Sequence, residues 1–383
     1  MKEDAHHSLE AFHSAKIQRE AIYSSQPMSL IQSYGIWNNK GGVGKSTITF
    51  HIAARYAEMN PDVDVLVIDL CPQANASMML LGGGHTGENA VLHFCTTAVP
   101  QTVVGYLSRV LSGGSGAPLP NPADFLVRVR DKNANLPNNL FLMCGDGNLE
   151  PMSPAISGAA AALALTPQSQ PWQWVHLTFR KFVDDLVARS STRNWMVFVD
   201  TNPSFSIYTE IAMCAVNRLI TPVNADDSSR VATNAMFVLL HGQQPPHPVY
   251  GSWTFAAKAA QSGIHIPQIH LVIGNRLTQY DGAATAFSAL SDATADTLYN
   301  AYQANPPYFT PRDPAPTNLS SFRAAYSIPL RDFNTAGVVA AHLGERLSQL
   351  NNRYYRVHGT EVQVNRERVT ECLVAVDQVV STL

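Results

Sequence analysis

Within ten residues the segment Asn38-Asn39-Lys40-Gly41-Gly42-Val43-Gly44-Lys45-Ser46-Thr47 holds two lysines, three glycines and two hydroxyls. The chemistry this mixture suits is the binding of a phosphorylated anion. Glycines let backbone N–H groups turn inward around phosphate oxygens. A helix beginning near Lys45 would point its positive end at the same anion. Lys45 can reach β- and γ-phosphates, and the Ser46 hydroxyl can ligate Mg²⁺. The bland alternative is a glycine-rich turn of no consequence; the flanking apolar strand and helix favour the phosphate reading.

The elements that must position this loop are legible on either side of it. Leu30 to Trp37 is an apolar run of strand length, and Lys45 to Met59 is a helix stopped by Pro61. Val63 to Leu70 is a second strand, which makes a strand–turn–helix–strand order. Leu140–Cys144, Trp195–Asp200, Leu219–Val223 and His270–Gly274 are further short apolar runs separated by helix-sized intervals. The expected fold is α/β, a doubly wound and mostly parallel sheet flanked by helices. Residues 1–29 read as an N-terminal helical extension, 30–360 as the main domain and 361–383 as a C-terminal helix. Glycine-rich stretches within 82–122, around a helix near Thr102 to Leu111, and the Ala/Ser/Pro-rich 151–171 read as loop insertions. Trp172 to Arg189 reads as helical.

Composition narrows the class. Of 383 residues, 45% are hydrophobic and 14% charged, with a formal net charge of −3. No global basic field is present to attract nucleic acid, so such contact requires a local cluster. Arg312, Arg323, Arg331, Arg346, Arg353 and Arg356 could supply one if they share a face, and are solvated surface charges otherwise. Five scattered cysteines without C-x-x-C spacing read as free thiols in a reducing compartment, against a zinc ribbon or an iron–sulfur site. The polar N-terminus lacks a signal-peptide core, and no run has the length of a membrane span. The expected location is cytoplasmic.

Lys40-Gly41-Gly42-Val43-Gly44-Lys45-Ser46-Thr47 resembles the deviant phosphate loop of the ParA/MinD family of P-loop ATPases. Asp69-Leu70-Cys71-Pro72-Gln73-Ala74-Asn75 resembles that family's switch I segment, and Val197 to Ser204 its second acidic motif. Gly145 to Glu150 adds a family-like Gly-x-x-x-Leu-Glu pattern. The resemblance runs over roughly 33–350 and implies ATP and Mg²⁺ as ligands. It gives Lys40 the role of reaching the nucleotide of an opposing subunit, and Asp69 and Asp200 roles at the ion beside Ser46. Asn275 and Arg276, with Pro329 and the stretch Asp332 to Gly337, fall where the family binds adenine.

One departure matters. Cys71 stands where the family's second switch I aspartate would be, and a thiol does not supply a fixed negative charge at neutral pH. Slow hydrolysis is the expectation. The resemblance further implies an ATP-dependent homodimer, nonspecific DNA binding with possible nucleoid association, and a ParB-like or other cargo adaptor that stimulates hydrolysis. The cargo would be a plasmid, a chromosome region or another cytoplasmic body. Rival readings are an ATP-held adaptor with little turnover and a MinD-like regulator. The latter would want a basic amphipathic tail, whereas the C-terminal stripe Val369, Cys372, Leu373, Val376, Val379 and Val380 faces acidic or neutral residues. No membrane partner is expected.

Overall fold

Apolar runs of strand length alternate with helices along most of the chain, and the strands assemble into one sheet. The computed structural model describes residues 28–164, 170–224, 226–275, 284–330, 334–351 and 353–383. Its strands are β1 Leu30–Ile36, β2 Asp64–Leu70, β3 Val127–Arg128, β4 Leu140–Met143, β5 Trp195–Thr201, β6 Arg218–Asn224, β7 Gln268–Asn275 and β8 Ser327–Pro329. They lie side by side in the order β3-β4-β2-β5-β1-β6-β7-β8. All neighbours pair in parallel except β3 against β4. A separate antiparallel hairpin joins β9 Tyr354–Val357 to β10 Thr360–Gln363.

Both faces of the sheet are covered, and the strands are predominantly apolar for that reason. In β2 the alternation splits the side chains cleanly: Val65 and Val67 enter one core, Leu66, Ile68 and Leu70 the other. Every residue of β5 is buried. The first face is covered by α1 Lys45–Met59, α2 Asn75–Leu80, α3 Gly84–Thr96 and a pair near the C-terminus. The second face carries α4 Val103–Gly113, α5 Leu149–Ala160, α6 Pro171–His176, α7 Thr178–Arg189, α8 Ile207–Ala215, α9 Asp227–His241, α10 Phe255–Gln261, α11 Ala284–Ala304 and α12 Leu319–Tyr326. The C-terminal pair on the first face is α13 Asn334–Leu343 and α14 Arg366–Val380.

The final helix is part of the core. Val369, Cys372, Val376, Val379 and Val380 are buried against α1, and Arg55 clamps Asp377 with bonds of 2.6 and 3.0 Å. Three expectations change. The Ala/Ser/Pro-rich segment read as a loop insertion from 151 is helical through Ala160, because Leu149, Ile156 and Ala160 recur at helical spacing and are buried. The triple glycine at 82–84 opens a helix instead of a long loop. The stretch expected as one helix over 172–189 divides into α6 and α7 at Leu177. Residues 1–27 of the expected N-terminal extension and residues 165–169 lie outside the described residues. Among the described residues, no helix is long and apolar enough to cross a membrane.

Candidate functional site

β1 is the strand at which connectivity reverses: β5 and β2 lie to one side, β6 and β7 to the other. Crevices at the carboxyl ends of strands form at such switch points. The glycine-rich loop leaves β1 there. Gly42 (φ 72°) and Gly44 (φ 83°) adopt left-handed backbone that favours glycine. No atom lies within 4 Å of where a Cβ on Gly41 or Gly42 would be, so the loop faces open space. α1 follows without a side-chain cap and without an acidic residue in its first turn. A helix start of this kind is suited to an anion.

Lys45 is almost wholly buried and donates to the carbonyls of Asn38 at 3.2 Å and Lys40 at 3.0 Å. Burial pulls its ammonium down to about 8, a cost that the neighbouring Asp200 carboxylate partly offsets. Ser46 donates to Asp200 Oδ2 at 2.7 Å, and Thr49 donates to Asp200 Oδ1 at 3.0 Å. Asp200, on β5, is fully buried, and burial with the nearby Asp69 carboxylate raises its affinity for a proton. The two acids sit side by side because Asp69 of β2 and Asp200 of β5 are register partners.

Asp69 has other attachments. Its Oδ2 accepts from Ser77 N at 2.9 Å and Ser77 Oγ at 2.7 Å, and its Oδ1 accepts from Cys71 N at 3.1 Å. The Ser77 hydroxyl in turn accepts from Gly145 N at 2.8 Å. Cys71 lines the cleft beside Gly41, Gly42, Lys45, Ser46 and Thr47, around a cavity of about 290 Å³. Its thiol is pushed up to about 12, by burial first and by the Asp69 and Asp200 carboxylates next. It is neutral at physiological pH. Gln73, Asn75, Asn202 and Pro203 also line the cleft; sequence reading passed over them as site residues, although the two loops that carry them were in view.

A second cavity of about 270 Å³ lies at the ends of β6, β7 and β8, lined among others by Val223, Asn224, Gly274, Leu298, Ile328 and Pro329. Asn275 ends β7 opposite Asn224, and Pro329 ends β8 opposite Gly274, so the backbone brings both to this region. The side chain of Asn275, Arg276, and residues 331–333 of the late segment lie outside what is described. Asn224 was missed; its place at a strand's carboxyl end is the signal that could have found it.

Lys40 is engaged within its own chain. Lys40 Nζ forms an ion pair with Asp226, the N-cap of α9, and donates to Ser229 Oγ at 3.3 Å. Among the described residues, three of the six arginines are engaged within the chain. Arg312 donates to the His270 and Ala325 carbonyls, Arg323 pairs with Asp292 at 2.6 Å, and Arg346 pairs with Glu58 at 3.1 Å. Arg353 and Arg356 are exposed on the β9 side of the hairpin, and Arg331 lies outside the described residues.

A parallel sheet, a two-lysine phosphate loop at its switch point and a buried strand-end carboxylate behind the loop define a P-loop nucleotide-binding fold. Residues 31–107 match the family model described as an AAA domain. No curated protein matches the chain in sequence. Among solved structures it resembles the ATP complex of a variant of Cyanothece McdA at 14% identity and TM-score 0.54, covering 92% of this chain and 96% of the other. Apo McdA of Cyanothece aligns at 16% identity and TM-score 0.51, covering 89% and 99%. At these identities the likeness is one of fold. The chain therefore has the fold of P-loop nucleotide-binding proteins, and its motifs resemble those of the ParA/MinD family.

Proposed function

We propose that the protein is an ATP-switched dimer of the ParA type that positions DNA or another cytoplasmic cargo. The observation that carries this reading is the cleft itself: a glycine loop facing open space, an uncapped helix start and a buried lysine directed at backbone carbonyls. This donor set fits a triphosphate. The loop from Lys40 to Thr47 would hold the phosphates, and Ser46 with Asp200 would hold Mg²⁺. The bound ion would neutralise phosphate charge. The hydrogen bonds already made by both Asp69 oxygens favour a role in shaping switch I behind the ion over direct ligation. Asn275, Arg276 and Pro329 would contact the base at the second cavity.

In this reading Lys40 crosses to the nucleotide of the partner subunit, so that dimerisation depends on the triphosphate. The ATP dimer would bind DNA without sequence preference, and a ParB-like or other adaptor would stimulate hydrolysis. Neutral Cys71 favours slow turnover, and it also favours a second reading, an ATP-held adaptor with almost none. Light scattering with Mg·ATP, Mg·ADP and no nucleotide tests the switch: a dimer only with ATP is expected, absent in Lys40→Ala although nucleotide still binds. A monomer in all three states would sink the reading. Turnover in the presence of random duplex DNA separates the ATPase from the adaptor, and binding only with ATP, weakening steeply with salt, supports the DNA-bound form.

A further inference from the structure

Lys40 is held through its backbone N–H, through its carbonyl, which accepts from Lys45 Nζ at 3.0 Å, and through its side chain. Its backbone N–H donates to Asn38 Oδ1 at 2.9 Å, and Asn38 Nδ2 donates to the Pro222 carbonyl at 2.7 Å. These bonds fix the base of the loop against the end of β6. The third attachment, through Nζ to Asp226 and Ser229, involves the side chain alone. The ammonium can therefore leave without disturbing the loop.

Its resting place is poor for a cation. Nζ lies against the N-terminal end of α9, where the helix dipole favours anions. Ser229 offers only a neutral oxygen. The Asp226 carboxylate supplies the net attraction, and its Oδ1 is already fixed at 2.8 Å by Ser229 N and by Ser228 Oγ. Burial works against the charge of Asp226, but the bonds from Lys40, Ser228 and Ser229 outweigh it and hold the carboxyl at about 2, ionised at any working pH. The pair is partly exposed, with side-chain accessibilities of 19% for Lys40 and 42% for Asp226. Ion pairs so exposed are weak, and a triphosphate, with more charge and more acceptors, is the stronger partner.

We propose that Asp226 is a positioning residue for Lys40: it retains the lysine in its own subunit until the triphosphate of a second subunit outcompetes it, and so sets the threshold for dimer closure. This rests on the functional reading above and specifies its regulation. Retention makes the cross-subunit contact an exchange, in which the cis ion pair is lost as the trans phosphate contact forms. A ligand without the γ-phosphate has less to offer in that exchange.

The test uses the full chain carrying Asp226→Asn. Asparagine caps a helix as well as aspartate does, so the start of α9 is kept while the charge is removed; Asp226→Ser serves if the first variant folds poorly. Without nucleotide, acetylation of Lys40 by an amine-reactive ester, followed by mass spectrometry, is expected to quicken at least about threefold. Asp227→Asn, which removes a neighbouring charge that does not bond Lys40, should leave it unchanged. With Mg·ATP the concentration for half-dimerisation should fall about fivefold, with no such gain in a Lys40→Ala background. Unchanged acetylation in a folded variant overturns the retention contact. Faster acetylation with an unchanged or weaker ATP dimer overturns its control of closure. A wild-type chain that stays monomeric in Mg·ATP overturns the functional reading, and the proposed threshold with it, while acetylation still reports whether the cis contact exists.

Discussion

Two aspartates end adjacent strands in register, both fully buried, yet they are tied to different parts of the molecule. Asp200 accepts from Ser46 and Thr49 of α1, so it belongs to the phosphate loop. Asp69 accepts from the backbone and side chain of the segment that follows it, so it belongs to switch I. Position on the sheet is thus shared while allegiance differs. The donors decide what each acid can do. Hydroxyls can rotate toward another acceptor, and the Thr49 hydroxyl already has one in the Lys45 carbonyl at 3.0 Å. The backbone N–H groups of Ser77 and Cys71 have no such freedom.

The contrast breaks or sharpens under four changes. The largest effect is expected of Asp69→Ala, which orphans the N–H groups of Ser77 and Cys71 and the Ser77 hydroxyl: about 3 kcal/mol of folding stability should be lost in urea denaturation. Asp200→Ala should cost less than about 1 kcal/mol in the same measurement, and equal losses would erase the distinction. Next, Asp200→Asn should weaken the Mg²⁺-dependent part of ATP affinity by about 2 kcal/mol, roughly 30-fold, in titration calorimetry. An undiminished Mg²⁺ effect would remove Asp200 from the ion site.

Cys71→Asp comes third. Restoring a carboxylate beside the cleft should raise ATP turnover about tenfold while dimerisation persists; a folded variant with unchanged turnover would count against the role given to switch I. The smallest effect is a pH dependence. In the proposed reading Lys45 binds phosphate as the ammonium, and its affinity for a proton is lowered before ligand arrives. Nucleotide affinity should therefore fall as pH rises through about 8, by about fivefold between pH 8 and 9. Lys45→Arg, which stays charged, should bind less well but lose that falling limb; a limb that persists would belong to another group.

The glycine loop and its place between a strand and a helix were legible because their signals are local. Glycines, lysines and hydroxyls stand in one segment, and the strands around it are continuous apolar runs that periodicity detects. What escaped is non-local or compositionally disguised. The Lys40–Asp226 ion pair spans 186 positions, and nothing near Asp226 beyond a helix cap announces it. α5 was masked by alanine, serine and Pro154, although three buried residues at helical spacing carry it. β3 has two residues, too few for any period to register. The arginines could be counted in the sequence but not placed, so a shared patch and scattered surface charges both stayed open; carbonyls and carboxylates of the same chain engage Arg312, Arg323 and Arg346.

Gly145 binds no ligand in any reading of the cleft, yet a Cβ there would come within 2.9 Å of both Asp69 Cγ and the Ala74 side chain. Beyond it, Asp146 accepts from Thr102 at the start of α4 and from Asn148 at the start of α5. The turn after β4 is therefore a mechanical stop for switch I. A displacement of that segment toward Gly145 would press on a turn that anchors two helices on the opposite face of the sheet. A single methyl group at position 145 would be felt at Asp69 from outside the cleft, and an engineer seeking to alter the proposed switch without touching its chemistry would begin there.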